Sequence, residues 1–142
     1  MPRILGVDYG ERRIGLAVSD PSATIAQPLA TLLRRRGKRP PVQAVCDTAR
    51  EWQVECVVVG LPLTLAGEES EWTRETRNFG EKVGERAGIP VYFLDERFTS
   101  VRAEQAVRAL GLPRHAREEK GRVDAAAAVL ILQAFLDRRT RG

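Results

Sequence analysis

Apolar and polar positions alternate in short runs at the start of the chain. Residues 3–9 (Arg-Ile-Leu-Gly-Val-Asp-Tyr) and 14–19 (Ile-Gly-Leu-Ala-Val-Ser) are two β-type runs parted by Gly10-Glu11-Arg12-Arg13, which is hairpin spacing. The turn signal Asp20-Pro21-Ser22 precedes a third strand expected over 25–32, with Pro28 at an edge or bulge because proline cannot donate to a ladder. Beyond it the pattern predicts a helix over 41–53, an apolar strand over 55–60, a helix over 70–87, a strand over 89–95, a helix over 100–110 and a last helix over 123–138. Strands separated by helices pair in parallel through right-handed crossovers. The expected fold is therefore α/β: three antiparallel strands, then parallel ones, in one five-stranded mixed sheet flanked by helices. No internal repeat is present.

Composition narrows the class. At 142 residues, 43% hydrophobic and 30% charged, the chain is expected to form a single domain over 1–142 that folds without a metal or disulfide staple. Cys46 and Cys56 stand ten apart with no Cys-x-x-Cys, which argues against a zinc site and for a reducing compartment. No run of 18 apolar residues occurs, and the first residues lack the charged and apolar regions of a secretory leader. A cytoplasmic protein with no membrane partner is expected. Bases outnumber acids 23 to 19, and 20 of those bases are Arg, whose planar fork suits phosphates. A genomic bias toward Arg codons is the plainer explanation. The run 34–41 holds five bases and no acid, which reads as a mobile exposed loop or a solvated connector. The acidic stretch Glu68, Glu69, Glu71, Glu75, Glu81 and Glu85 is expected to face away from nucleic acid.

Three of the six Asp residues, Asp8, Asp95 and Asp124, stand inside or at the ends of apolar elements. An ionised carboxylate there costs several kcal/mol unless it is paired or binds a metal. Asp8 lies in the first strand just before Gly10, and its plainer role is to start the hairpin turn. Asp95 and Glu96 end a parallel strand, where open sheets place their ligands. Because successive strand side chains face opposite ways, only one of the two can serve a given pocket. The other readings are a pair with Arg97 or a cap for the helix after Thr99-Ser100. Asp124 shares a helical face with Ala127, Ala128, Ile131 and Phe135, continuing an apolar stripe that must press on the sheet. Its plainer role is a first-turn acid facing the helix dipole. If that last helix crosses the sheet near the first strand, Asp8, Glu96 (or Asp95) and Asp124 converge. Two carboxylates about 5 Å apart repel by about 3 kcal/mol at an effective dielectric of about 20. Three oxygen donors would then call for Mg²⁺ or Mn²⁺, and the usual substrate of such a site is a phosphate ester.

Four ordered motif blocks resemble the YqgF family of ribonuclease H-like proteins, described as Holliday junction resolvases and as pre-16S rRNA nucleases. They are Gly6-Val7-Asp8-Tyr9-Gly10 with Arg13-Ile14-Gly15-Leu16-Ala17 and Ser19-Asp20; Val59-Gly60-Leu61-Pro62 with Gly67; Asp95-Glu96-Arg97-Phe98-Thr99-Ser100; and Lys120-Gly121-Arg122-Val123-Asp124 running into Ala127-Ala128 and Ile131-Leu132-Gln133. The resemblance spans nearly the whole chain. It implies a ribonuclease H-like fold and an acidic metal site of Asp8, Glu96 and Asp124 with Asp95 adjacent. Phe98 replaces an expected Leu, and Thr64 stands where the family commonly has Asn.

The function expected from this is metal-dependent phosphodiester hydrolysis. Asp8 would bridge two divalent cations, Glu96 and Asp124 would each complete one coordination sphere, and water would attack phosphorus in line with the leaving 3′-oxygen. Phosphate contacts would come from Arg12, Arg13, Arg97, Arg114, Arg117, Lys120 and Arg122, which position a strand without reading its bases. His115, in a segment read as exposed loop, is not expected to shuttle protons. Trp52 and Trp72 fit core positions better than base-stacking ones. The partner is nucleic acid, either pre-16S rRNA or branched DNA. Junction resolution would need two paired sites and hence a homodimer, whereas rRNA processing works in a monomer. Two rival classes are an ATP-binding module of actin-like type, for which the chain is short, and a non-catalytic RNA-binding module of ribosome assembly.

Overall fold

The computed structural model describes residues 3–35, 37–98 and 117–141, with the side chains of 98, 117–124 and 140–141 outside that description. Strand β1 (Arg3–Tyr9) turns through Gly10 into β2 (Arg13–Ser19), and the Gly10 amide donates to the Arg13 carbonyl at 3.0 Å. A side chain at Gly10 would collide with that same carbonyl, so the tight hairpin needs the glycine.

The strand expected over 25–32 is instead two pieces, β3 (Ala26–Pro28) and β4 (Leu32–Leu33), both antiparallel to β2. The pairing with β2 runs past Pro28 to the Leu29 amide, which donates to the Leu16 carbonyl at 2.9 Å, and resumes with Leu32 opposite Ile14. The sheet consequently has six strands where five were expected. Helix α1 (Val42–Glu51) leads to β5 (Val54–Leu61), α2 (Glu71–Ala87) to β6 (Val91–Asp95), and a 3₁₀ turn (Glu96–Phe98) follows directly. Helix α3 (Arg117–Arg141) ends the chain. It begins six residues before the expected 123, so the segment read as loop is helical from Arg117 on. The helix expected over 100–110 lies outside the described residues.

Strand order is β3-β2-β1-β5-β6, with β1 antiparallel to β2 and parallel to β5. Alternation along β1 splits its side chains between two cores. Leu5, Val7 and Tyr9 join Leu16, Val18, Val45, Phe79 and Val83 under α1 and α2. Ile4 joins Ala17, Val58 and the buried stripe Ala127, Ala128, Ile131, Leu132 and Leu136 of α3. Each large side chain so withdrawn from water contributes about 1.5–3 kcal/mol. Cys46 and Cys56 are both free thiols, one in each of these cores.

Helix α2 is tightly delimited. Ser70 Oγ accepts from the Thr73 amide at 3.2 Å while Thr73 Oγ1 accepts from the Ser70 amide at 3.1 Å, a capping box. Gly88, at φ 71°, ends the helix in a left-handed cap.

Candidate active site

The site forms on the α3 side of the sheet, at the carboxyl ends of β1, β5 and β6. On β1, Ile4, Gly6 and Asp8 alternate toward α3. Gly6 lets the helix approach closely: a Cβ there would lie 2.7 Å from Leu132 Cβ and 3.1 Å from the Ala128 carbonyl oxygen. Asp8, two residues further on, is 2% exposed and pairs in register with Gly15 of β2. On the other side of β1 the register runs Gly6 with Val58 and Val7 with Val59. That register ends at the residues just before Asp8 and Gly60.

Gly60 is where the second carboxylate enters. A Cβ at position 60 would meet Glu96 Oε1 and would lie 2.5 Å from Ile131 Cδ1. Glu96 reaches this place because the chain turns into the 3₁₀ helix right after β6, and it is 2% exposed. Asp8 on β1 and Glu96 just after β6 thus flank β5, both withdrawn from water.

Asp95 takes a different place. Its carboxylate holds Arg97, with Arg97 Nε 2.9 Å from Oδ2 and the Arg97 amide 2.9 Å from Oδ1. The Arg97 guanidinium holds the Asp95 carboxyl below its ordinary range, chiefly by hydrogen bonding. Arg97 in turn lies over Gly67, 2.8 Å from where a Cβ would be, and donates to the Leu65 carbonyl at 3.4 Å. It braces the 62–70 loop against the end of β6. That loop closes on Thr64, whose Oγ1 accepts from the Glu68 amide at 3.0 Å. A threonine therefore closes the loop where an asparagine was the family expectation.

Asp124 lies in α3 one turn before Ala128, and Ala128 packs at Gly6. Leu136 belongs to the core around Ile4, so the helix backbone runs back toward the end of β1 that carries Asp8. Its side chain is outside the described residues. It is the eighth residue of α3, two turns in, which removes the first-turn explanation. The described residues contain no group of three or more His, Cys, Asp or Glu gathered to hold a metal. Asp8 and Glu96 are both buried, and of Asp124 only its place in the helix is described.

Among the expected phosphate contacts, Arg12 is exposed in the β1–β2 turn and Arg13 half-buried at the start of β2. Arg117, Lys120 and Arg122 stand in the first turns of α3. Arg114 and His115 lie outside the described residues. Trp72 stacks on Tyr9 with centroids 5.1 Å apart, and Trp52 lies under the Arg3 guanidinium at 5.3 Å, both against the core.

Sequence reading did not foresee the roles of Gly6, Gly60 and Gly67, although glycine inside a strand is a signal of close approach. It also missed the far side of β1. There the Tyr9 hydroxyl donates to Glu75 Oε2 at 2.8 Å, and burial, helped by that bond, pushes the phenol's pKa up.

The comparisons with known proteins agree with one another. Residues 2–138 match the family model described as "RuvX: Holliday junction resolvase". A protein of Anaeromyxobacter sp. (strain K), named "Putative pre-16S rRNA nuclease", is 44% identical over 96% of this chain and 98% of its own length. One of the same name from Koribacter versatilis is 46% identical over 96% of this chain and 88% of its own. Among solved structures, Thermus thermophilus RuvC in complex with a Holliday junction superposes with a TM-score of 0.56 at 16% identity, covering 99% of this chain and 96% of that one. The fowlpox virus resolvase with its junction DNA gives 0.59 at 10% identity, covering 96% and 98%. At those identities the likeness is one of fold, the ribonuclease H-like fold expected from the motifs.

Proposed function

The chain belongs to the RuvX family of Holliday junction resolvases, and on that premise we propose that it is a nuclease. It hydrolyses phosphodiester bonds of structured nucleic acid with the help of a divalent cation. Its physiological task is trimming the 5′ end of pre-16S rRNA in the cytoplasm during ribosome assembly. The observation that carries this reading is the burial of Asp8 on β1 and of Glu96 just after β6, at the carboxyl ends of the two strands that flank β5, with Gly60 of β5 clearing the space for Glu96.

The donor chemistry fits a hard cation. Asp8 and Glu96 offer only carboxylate oxygens, and among the described residues no thiol or imidazole groups with them, which suits Mg²⁺ or Mn²⁺ over zinc. Asp8, Glu96 and Asp124 would hold it. When bound, the cation neutralises charge that builds on the phosphate during hydrolysis.

The chain's own residues do the rest. Asp8 is fixed by its place between two paired strands, so the carboxylate needs no reorganisation when substrate arrives. Glu96 is positioned by the Asp95–Arg97 clamp on its own 3₁₀ turn. Arg12 and Arg13, on the turn that follows Asp8, grip phosphates near the scissile bond, and Arg114, Arg117, Lys120 and Arg122 extend that grip along the strand. Such contacts recognise backbone shape and leave base sequence unread.

The test compares one preparation on a pre-16S leader RNA, a four-way DNA junction and a plain duplex in Mg²⁺ and in Mn²⁺. Cleavage of the leader, lost in Asp8→Asn combined with Asp124→Asn while folding and binding persist, is the expected result. Preferential cleavage of the junction transfers the activity to recombination and requires a homodimer with two paired sites, the reading favoured by the family's description. Binding without turnover by the unmodified chain leaves only an RNA-binding assembly role.

A further inference from the structure

A basic concavity lies on the opposite side of the sheet from Asp8 and Glu96. It is a cleft of about 1210 Å³ between the 34–41 loop and α2. Five cations line it, Arg34, Lys38, Arg39, Lys82 and Arg86, against two carboxylates, Glu75 and Glu85. Glu75 is already engaged by the Tyr9 hydroxyl at 2.8 Å and lies 3.8 Å from Arg34. Lys38, Arg39, Lys82 and Arg86 are exposed and make no ion pair among the described residues.

Helix α2 is formally neutral, with four acids and four bases, and turns Glu75, Lys82, Glu85 and Arg86 toward the cleft. Lys82 and Arg86 are four apart and therefore stacked on one side. Arg77 turns elsewhere, to Glu69 at 2.5 Å. The loop is organised too. Gly37, at φ 76°, and the Lys38 amide, donating to the Arg35 carbonyl at 3.0 Å, turn the chain so that Lys38 and Arg39 face the helix.

Arg34 joins this cleft to the acidic site. Its amide donates to the Arg12 carbonyl at 2.8 Å, its Nη1 to the Gly10 carbonyl at 2.8 Å, and its guanidinium lies 4.7 Å from the Tyr9 ring centre. Tyr9 lines the cleft, while Asp8, its neighbour in sequence, faces the other side. The β1–β2 turn with Arg12 and Arg13 is the bridge between them.

We infer that the cleft is a second phosphate-binding surface for the nucleic acid that the protein cuts, holding the sugar-phosphate backbone beyond the scissile bond after the strand has passed over the β1–β2 turn. The inference rests on the nuclease reading for the identity of the ligand. A ladder of separate cations, four of which make no ion pair among the described residues, suits a polyanion with regularly spaced charges, and such contacts add salt-dependent affinity without sequence preference.

The test measures binding of a labelled single-stranded pre-16S leader RNA to the full chain in EDTA, across about 50–200 mM salt. For Lys82→Ala with Arg86→Ala, the slope of log affinity against log salt is expected to fall by about 1.4, and affinity at about 0.1 M salt to weaken about tenfold. Lys38→Ala with Arg39→Ala should behave alike from the loop side. Arg50→Ala with Arg74→Ala removes the same charge outside the cleft and should leave the slope in place. Unchanged slopes in both cleft variants would overturn the inference and leave the surface to an acidic protein partner, and an equal fall in the outside pair would overturn it as well. Cleavage in Mg²⁺ is scored separately: cleft-dependent binding by a chain that never cuts RNA or DNA refutes the nuclease reading alone, while normal cutting with unaltered binding by the variants refutes the cleft alone.

Discussion

The carboxylate of Glu96 occupies the space that any side chain at position 60 would fill. Gly60→Ala should therefore dislodge Glu96, and Ile131 Cδ1, 2.5 Å from the added carbon, would have to shift as well. Misplacing a reacting group by about 1 Å costs on the order of 100-fold in rate. Cleavage kinetics of Gly60→Ala should show that loss, with an overpacking cost of about 1–3 kcal/mol in urea unfolding. Full turnover in this variant would remove Glu96 from the site.

Asp95 and Glu96 should separate cleanly by substitution. Asp95→Asn breaks a partly exposed ion pair with Arg97, a change worth at most about 1 kcal/mol, and should lower turnover only modestly. Glu96→Gln removes a buried charge that the proposed cation needs, and turnover should drop by a factor of about 100 or more at unchanged RNA affinity. Single-turnover cleavage by the two variants, measured side by side, checks the assignment; the reverse ranking would exchange their roles.

Gly6→Ala tests the seat of α3. The added carbon would meet Leu132 Cβ at 2.7 Å, and neither the helix backbone nor that Cβ can rotate away. A destabilisation of about 1–3 kcal/mol is expected. Cleavage should fall further than stability explains, because the same helix carries Asp124. Thermal unfolding and rate measurements on one preparation distinguish the two effects.

A pH prediction comes from the turn after β2. Asp20 Oδ1 accepts from the amides of Ile25 at 2.9 Å and Thr24 at 2.8 Å, and the Ser22 hydroxyl donates to Oδ2. The Ile25 amide foremost, with Ser22 and Thr24 behind it, holds the carboxyl down from 3.8 to about 2. A depressed folded pKa means that stability is present above the unfolded value and disappears as pH falls from there through the folded one. Asp20→Asn should flatten the stability profile between about pH 4 and pH 2 relative to the unmodified chain. Superimposable acid-unfolding curves would contradict the role of this turn.

Legibility in the sequence followed the physics of each element. The β1–β2 hairpin, β5 and α2 were visible because their hydrophobic period is regular and their ends carry glycine or a capping serine. The split of β3 from β4 was not, since a run of apolar residues does not say where a ladder lapses. The start of α3 was missed because Arg-Glu-Glu-Lys-Gly-Arg looks like a solvated loop. Alternation showed that Asp95 and Glu96 could not share a pocket, yet only the 3₁₀ turn decides which one faces Gly60. Of the candidate site, Asp8 was legible as a charge out of place. The glycines that make room around it were visible letters whose meaning depends on what packs against them.

The sheet order has one more consequence. β1 lies in the middle, paired on both edges and covered on both faces, so its amides exchange with solvent only when the whole molecule opens. Asp8 thus rides on the element that lets go last, and deuterium should enter β1 more slowly than the short β3 and β4 ladders. A protein warmed or mildly denatured to the point where its margins fray would still keep its central acid aimed.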